Sequence, residues 1–169
     1  PNDRICRSAR DVVCRESCRH RSFGEWQASG MNDSAMEPDL VTEGGLLGVM
    51  YELMKREPIF DRREVVSCRE DFEREAAEDY WETGASGRRY SRAFVWATLE
   101  ERFERGQDAY KIEQWETREH HLREIAPRTY LLTYTLWGQG DRLTRRLTVW
   151  QGSVDDGWQA LYHQGTVVT

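Results

Sequence analysis

Two residues of this sequence have the chemistry for proton transfer, Glu82 and His163. A carboxyl group in a dry pocket has a raised pKa, which would allow Glu82 to accept and return a proton. An imidazole such as that of His163 can act as base, acid or orienting group near pH 7. The simpler alternatives are a solvated carboxylate at a strand edge for Glu82 and a histidine packed on tryptophan for His163. The sequence favours these alternatives and keeps both residues as catalytic candidates.

Arg145 and Arg146 are adjacent in a segment with strand character, so their side chains point to opposite faces of a sheet. Arg145 alternates with leucine and valine, which look like a core face, whereas Arg146 alternates with threonine and Trp150. Alternation alone leaves open which arginine faces inward. An inward arginine favours an anionic or carboxylate-bearing ligand.

The possible metal ligands do not form a convincing site. His120 and His121 are neighbours, so on a strand they point to opposite faces and cannot hold one ion together; we expect both at the surface. Cys14, Cys18 and His20 resemble half of a zinc site, but no second ligand pair follows. The sequence also lacks a CxxC pair and a glycine-rich dinucleotide loop. We therefore expect neither a metal nor a cofactor.

Three helices are predicted before the sheet. The first has one apolar stripe, formed by Leu46, Leu47, Met50, Tyr51 and Met54. Pro58 ends this helix. Ser67 and Glu70 have the spacing of a capping box for a short second helix. After a brief strand at Tyr80-Trp81-Glu82, Ser91 can cap a third helix that ends near Gly106.

From Lys111 onward the pattern changes to that of strands. The second half of the chain predicts four strands, at 111–125, 129–137, 143–150 and 158–168. Turns are expected at 138–141 and 151–157. We therefore predict an α+β fold in which three N-terminal helices pack into a strongly curved antiparallel sheet.

Composition limits the possible partners. The net charge of −6 disfavours nucleic acid, and no apolar run is long enough to span a membrane. Seven Trp, seven Tyr and five Phe supply buried area that the modest aliphatic content lacks. The sequence indicates a soluble cytoplasmic protein.

The first 30 residues differ from the rest of the chain, with six arginines against four acidic residues and no apolar periodicity. One interpretation is a basic arm for an acidic partner. The other, which we favour, is an extension without evolved structure, with a genuine start at Met31 or Met36. We predict an unstructured extension over 1–40 and one domain over 41–169.

Two segments resemble a known superfamily. These are DYWETGASGRRYSR, which begins at Asp79, and the tail RRLTVW…DDGWQALYHQGT. They are similar to uncharacterised bacterial families of the nuclear transport factor 2-like superfamily, whose relatives include SnoaL-like cyclases and ketosteroid isomerase. The W…DGW…HQGT ending resembles a branch that is a domain of unknown function. The resemblance covers about residues 44–168 and implies a cone with a pocket at its open end.

The resemblance guides the choice of pocket residues, but no group of catalytic residues from the superfamily can be matched to this sequence. It favours the positions that alternate with Arg146 as the pocket-facing side of the strand. The leucine-rich positions look more like a core face, and a bulge in residues 151–157 would reconcile the two expectations. Besides the catalytic candidates, the expected pocket residues are Trp81, Tyr90, Phe94, Tyr134, Arg146, Trp150, Tyr162 and Gln164.

Two functions remain open at this point. The first is a small-molecule-binding pocket domain, without demonstrable catalysis, that takes a small hydrophobic or anionic ligand and forms a homodimer. The second is a small isomerase, lyase or hydratase in which Glu82 or His163 transfers a proton. We prefer the first, because no acid–base pair is fixed by spacing.

Overall fold

A computed structural model describes residues 37–106, 115–138 and 142–168. Most of the predicted extension, including its cysteine cluster, lies outside the described residues. So do residues 111–114 of the first of the four long strands that were predicted, and residues 139–141 of the predicted hairpin turn. From Asp39 onward the chain forms one compact unit. No helix in the described ranges is long and apolar enough to cross a membrane.

Three helices precede or interrupt the first strands. A 3₁₀ turn at Gly44–Leu46 leads into α1 (Leu47–Met54); α2 spans Arg69–Glu75 and α3 spans Arg92–Glu104. The predicted stripe of α1 was partly wrong: Leu53 is fully buried, whereas Tyr51 is 58% exposed. The buried residues are Met50, which belongs to the predicted stripe, and Leu53, which lies one position before the predicted Met54. They are an i to i+3 pair on one face of the helix.

The ends of two helices test the capping predictions. Cys68 occupies the N-cap of α2, and the backbone and hydroxyl of Ser67 both donate to Asp71, at 3.0 and 2.7 Å, not to Glu70. The predicted box was therefore wrong by one residue. The cap of α3 is confirmed, because the Ser91 hydroxyl accepts a hydrogen bond from the Phe94 N–H.

Six strands form one sheet in the order β2-β1-β6-β5-β4-β3. Their bounds are β1 Ala76–Thr83, β2 Arg89–Ser91, β3 Glu116–Ala126, β4 Thr129–Trp137, β5 Leu143–Ser153 and β6 Gly157–Val167. Four neighbouring pairs are antiparallel, as predicted, but β1 and β6 are parallel. The parallel pair arises because β1 lies beside β6, a strand far from it in sequence that runs in the same direction, and a crossover connects the two.

The buried face of β5 is the one that contains polar residues. Thr144, Thr148 and Trp150 are buried, while Arg145 is exposed. The expectation that Arg145 and its leucine neighbours form the core face was therefore wrong. Arg146, which lies on this face of β5, lines one cavity with residues of α3, so the polar face of β5 belongs to the enclosed side of the sheet.

A β-bulge changes the alternation of β6. The register moves from Trp150 opposite Ala160 to Val149 opposite Tyr162, which leaves Leu161 as the extra residue. Trp158 and Ala160 are buried before the bulge and His163 after it. The bulge lies within β6, not in the turn at 151–157 where it was predicted.

Candidate functional site

A cavity of about 390 Å³ lies between α3, the loop after α1 and the enclosed side of the sheet. Its apolar lining comes from the loop after α1 and from α3. Its polar lining comes from the same loop, from α3, from the turn between β1 and β2, and from the strands. The lining residues are Pro58, Ile59, Phe60, Asp61, Glu82, Arg88, Tyr90, Phe94, Val95, Thr98, Leu99, Arg102, Arg146 and His163. Glu82 and His163 are register partners on β1 and β6, so the structure brings the two catalytic candidates together.

One wall of the cavity is aromatic. The rings of Tyr90 and Phe94 stack with centroids 5.0 Å apart and planes 16° from parallel. Gly84 makes room for this arrangement, because a Cβ there would lie 2.8 Å from Cε2 of Tyr90. Both aromatic residues were predicted from the sequence, and both line the cavity.

Arg146 and His163 form a polar part of the cavity lining. Nη1 of Arg146 lies 3.3 Å from Nε2 of His163, and Nδ1 of His163 lies 2.9 Å from the Thr148 hydroxyl. Nε of Arg146 donates to the Thr144 hydroxyl at 3.0 Å. The guanidinium therefore enters the cavity from β5 with two of its nitrogens held by the protein.

Two carboxyl groups also line the cavity. Tyr80 donates a 2.8 Å hydrogen bond to Glu82, and burial raises the pKa of Glu82. Asp61 forms a 3.1 Å ion pair with Arg102. Burial raises the pKa of Asp61 to about 6, although the Arg102 and Arg146 charges lower it. Each carboxyl group is therefore easier to protonate than it would be in water.

Tyr134 and Trp150 do not line the cavity, although the sequence predicted that they would. Both are buried, and both donate to the fully buried Glu57, at 2.8 Å from the Tyr134 hydroxyl and 3.1 Å from the Trp150 indole. Burial raises the pKa of Glu57, and hydrogen bonds from Thr148, Tyr134, Trp150 and the Ile59 backbone oppose that effect. Sequence analysis missed both Glu57 and Asp61; the only local signal is their place on either side of an apolar Pro-Ile-Phe segment.

Three other predicted pocket residues lie on the opposite face of the sheet. Trp81 is 43% exposed and its ring contacts that of Tyr162, with centroids 4.5 Å apart. The Tyr162 hydroxyl hydrogen-bonds Gln164 at 2.8 Å. These residues alternate with Glu82 and His163, and neighbouring positions on a strand cannot share a face.

The histidine pair is not fully at the surface, contrary to expectation. The ring of His120 stacks on that of Tyr134 with centroids 5.7 Å apart, and burial lowers its pKa. A register shift between Arg118 and His121, next to a positive φ at Glu119, turns His120 towards the core. Neither histidine lines the cavity described above.

Comparisons with known proteins establish the fold. No family model and no curated protein matches the sequence. A protein of unknown function from the DUF3225 family of Pectobacterium atrosepticum is 16% identical, with a TM-score of 0.53 over 79% of this chain and 98% of that one.

Two further solved structures are similar to this chain. An uncharacterised Caulobacter vibrioides protein with a cystatin-like fold is 13% identical, with a TM-score of 0.51 over 75% of this chain and 92% of that one. A nuclear transport factor 2-like protein of unknown function from Rhodospirillum rubrum is 12% identical, with a TM-score of 0.49 over 72% of this chain and 98% of that one. At these identities the likeness concerns the fold alone. The protein has a cystatin-like α+β fold, in agreement with the fold class predicted from its sequence.

Proposed function

We propose that the cavity binds a small molecule with an apolar, preferably aromatic body and a carboxylate or similar anionic group. The observation that carries this proposal is the state of Arg146. Its guanidinium lines the cavity and, within the described ranges, forms no ion pair with a carboxylate. A planar guanidinium held in place is well suited to bind a carboxylate through two hydrogen bonds.

The charges around Arg146 support an anionic ligand. Of the three arginines that line the cavity, Arg102 is paired with Asp61, whereas Arg88, like Arg146, forms no ion pair in the described part of the chain. Glu82 has a raised pKa, which reduces the negative charge that it contributes. The charged groups that line the cavity therefore have a positive balance, although the chain as a whole is acidic.

The shape of the cavity supports an apolar body. A volume of about 390 Å³ falls within the range of ordinary ligand pockets. The stacked rings of Tyr90 and Phe94, with Val95 and Leu99 from α3, provide a flat apolar wall. An apolar wall and an arginine in the same cavity fit an aryl or alkyl carboxylate.

A matched panel of ligands tests this proposal. Thermal melting and calorimetric titration would compare benzoate, phenylacetate and 1-naphthoate with their primary amides. We expect the acids, not the amides, to bind. Charged hydrogen bonds contribute about 1.5–3 kcal/mol, so Arg146→Gln should weaken the best acid roughly 10-fold or more. Arg145→Gln, on the exposed face of β5, is the control and should keep the affinity. Equal binding of acids and amides would contradict the proposal.

Proton transfer, as in a small isomerase, lyase or hydratase, is a second candidate function. It is favoured by the presence of Asp61, with a pKa of about 6, and Glu82 on one cavity. Proton NMR would follow deuterium uptake next to the carbonyl of phenylacetone. Catalysed uptake that is lost in Glu82→Gln or Asp61→Asn would support this function, and uptake at the uncatalysed rate would count against it for this ketone.

We also propose that the protein forms a homodimer through the face of the sheet opposite the cavity. Trp81 and Trp137 are 43% and 42% exposed, and the Trp81–Tyr162 ring pair lies on this face. Exposed aromatic residues are enriched at interfaces, and two-fold pairing is the commonest assembly.

A further inference from the structure

A line of hydrogen bonds connects the buried core to the cavity. The Thr148 hydroxyl lies 2.9 Å from Nδ1 of His163. It is also one of the groups that lower the pKa of the buried Glu57. Nε2 of His163 lies 3.3 Å from Nη1 of Arg146. Glu57 and Thr148 are fully buried and His163 is 4% exposed, so water cannot easily replace any link.

The chemistry of Arg146 fixes the direction of every link. A guanidinium can only donate, so Nε2 of His163 must accept and carries no proton. Nδ1 then carries the proton of the neutral ring and donates to the Thr148 oxygen. The hydroxyl proton of Thr148 remains free to point to Glu57. An ionised carboxylate has no proton to donate and offers only acceptors. One protonation state therefore satisfies all the links.

We propose that His163 is a positioning residue, held as the neutral Nδ1–H tautomer, that orients the Arg146 guanidinium towards the anionic group of the ligand. This inference rests on the proposed ligand-binding function and gives His163 a role other than that of a base. Both ring nitrogens are already engaged, so neither is available to take a proton from a ligand. Burial, and then the Arg146 charge, lower the pKa of His163 to about 3, in agreement with a neutral ring.

The surroundings of Arg146 support a fixed orientation. Thr144 holds Nε and His163 holds Nη1, which leaves Nη2 without a protein partner among the described residues. Gly165 lies opposite Arg146 on β6, and a Cβ there would lie 3.4 Å from Cζ of Arg146. Besides Arg146, the charged groups that line the cavity with His163 are Glu82 on β1, Asp61 in the loop after α1, Arg88 between β1 and β2, and Arg102 on α3.

Nitrogen-15 NMR of the full chain tests the tautomer without any ligand. The chain has four histidines, and comparison with His163→Gln would assign the His163 signals. We expect a protonated Nδ1 and an unprotonated Nε2, with no titration between pH 5 and pH 8. A protonated Nε2, a mixture of tautomers or titration near pH 6.5 would overturn the proposal.

Two substitutions at Thr148 test the positioning role. Thr148→Val keeps the shape but removes the acceptor of the Nδ1 proton, whereas Thr148→Ser keeps the hydroxyl. We expect Thr148→Val to lose the single-tautomer spectrum and to bind benzoate roughly 10-fold more weakly. Thr148→Ser should keep both properties. Unchanged benzoate affinity in a folded Thr148→Val variant would contradict the role. If that variant does not fold, the wild-type spectrum still decides the tautomer.

The two experiments separate this inference from the proposed function. If no acid of the panel binds the wild type, the proposed ligand class is wrong, and with it the positioning of Arg146 for an anion. If the acids bind but the spectrum shows a protonated Nε2, the ligand class stands and the role of His163 is wrong.

Discussion

The indole N–H of Trp150 donates a 3.1 Å hydrogen bond to Glu57, a residue 93 positions earlier in the chain. The other carboxylate oxygen of Glu57 accepts from Tyr134 at 2.8 Å. These bonds attach the start of the loop after α1 to β4 and β5. The next four residues, Pro58 to Asp61, all line the cavity. Glu57 therefore fixes one wall of the site without being part of it.

Replacing Glu57 with Gln should destabilise the fold strongly. The glutamine amide would present a donor to groups that themselves donate, and buried unsatisfied polar groups cost about 1–3 kcal/mol, more when charge is involved. We expect a loss of roughly 2–4 kcal/mol in urea unfolding. Glu64→Gln, where the side chain is 56% exposed, should change the stability by less than about 0.5 kcal/mol. Wild-type stability of Glu57→Gln would show that the bonds to Tyr134 and Trp150 contribute little.

Asp61 should make the stability depend on pH. Its folded pKa of about 6 exceeds the ordinary value of 3.8, so the folded state binds this proton more tightly than the unfolded state. The stability that protonated Asp61 contributes is therefore fully present below about pH 4 and is lost as the pH rises through about 6. Two units of pKa correspond to on the order of 3 kcal/mol.

The substitution Asp61→Asn isolates that effect. We expect the variant to be more stable than the wild type at pH 7 and similar to it at pH 4, in urea unfolding at both pH values. The comparison of wild type and variant is needed because His163 affects the pH dependence of stability in the opposite sense. Its pKa is lowered to about 3 in the folded state, so the stability that it contributes is lost as the pH falls below 6.5. A variant that is less stable than the wild type at pH 7 alone would show that the Arg102 ion pair outweighs the cost of burial.

Two glycine-to-alanine substitutions should change the stability of the protein in opposite directions. Gly84→Ala places a Cβ 2.8 Å from the Tyr90 ring, so the ring must move; overpacking of this kind costs about 1–3 kcal/mol. Gly48 lies within α1 with nothing within 4 Å of an added Cβ, so Gly48→Ala should stabilise the helix by roughly 0.5–1 kcal/mol. Thermal melting measures both. A neutral Gly84→Ala would show that Tyr90 is free to leave the cavity wall.

Much of the sheet could be predicted because its signals are local. The segment Thr129–Trp137 is dense in β-branched and aromatic residues, and β4 has these bounds. Local patterns of this kind do not depend on the rest of the fold. Arg146, Tyr90 and Phe94 were instead expected in the pocket from the superfamily resemblance, because alternation alone left open which of Arg145 and Arg146 faces inward.

The rest of the site depends on contacts between distant parts of the chain. Glu57 lies between charged residues and a proline, a pattern typical of a solvated turn, and its burial depends on partners 77 and 93 positions away. Strict alternation puts Trp158 and Tyr162 on one face of β6; only the bulge at Leu161 places His163 on the buried side with Trp158. No signal in the sequence of β6 marks that extra residue.

Removal of the N-terminal residues should leave the fold intact. A chain that begins at Met36 should melt within about 2 °C of the full chain, since residues without apolar periodicity bury little. A chain that begins at Gly44 should melt lower, because it loses Thr42, whose hydroxyl accepts a 2.9 Å hydrogen bond from the Leu122 N–H. Loss of cooperative melting in the longer chain would show that the first 35 residues belong to the core.

Sedimentation tests the proposed homodimer. At tens of micromolar we expect a species of twice 19.9 kDa. Trp81→Glu should shift it towards the monomer, because the substitution places a charge on the proposed interface. Glu78→Gln, at an exposed position of the same strand, is the control. A single 19.9 kDa species for the wild type would contradict the dimer.

The parallel pairing of β1 with β6 affects the order in which the site can form. β3 to β6 are joined in sequence by short turns and can pair as they emerge from the ribosome, but β1 must wait for a partner made about 80 residues later. Such long-range pairing is slow, because the entropy of closing the loop opposes it. Glu82 therefore joins His163 only after about 80 further residues have been made, so that the cavity forms later than the pairing of β3 with β4.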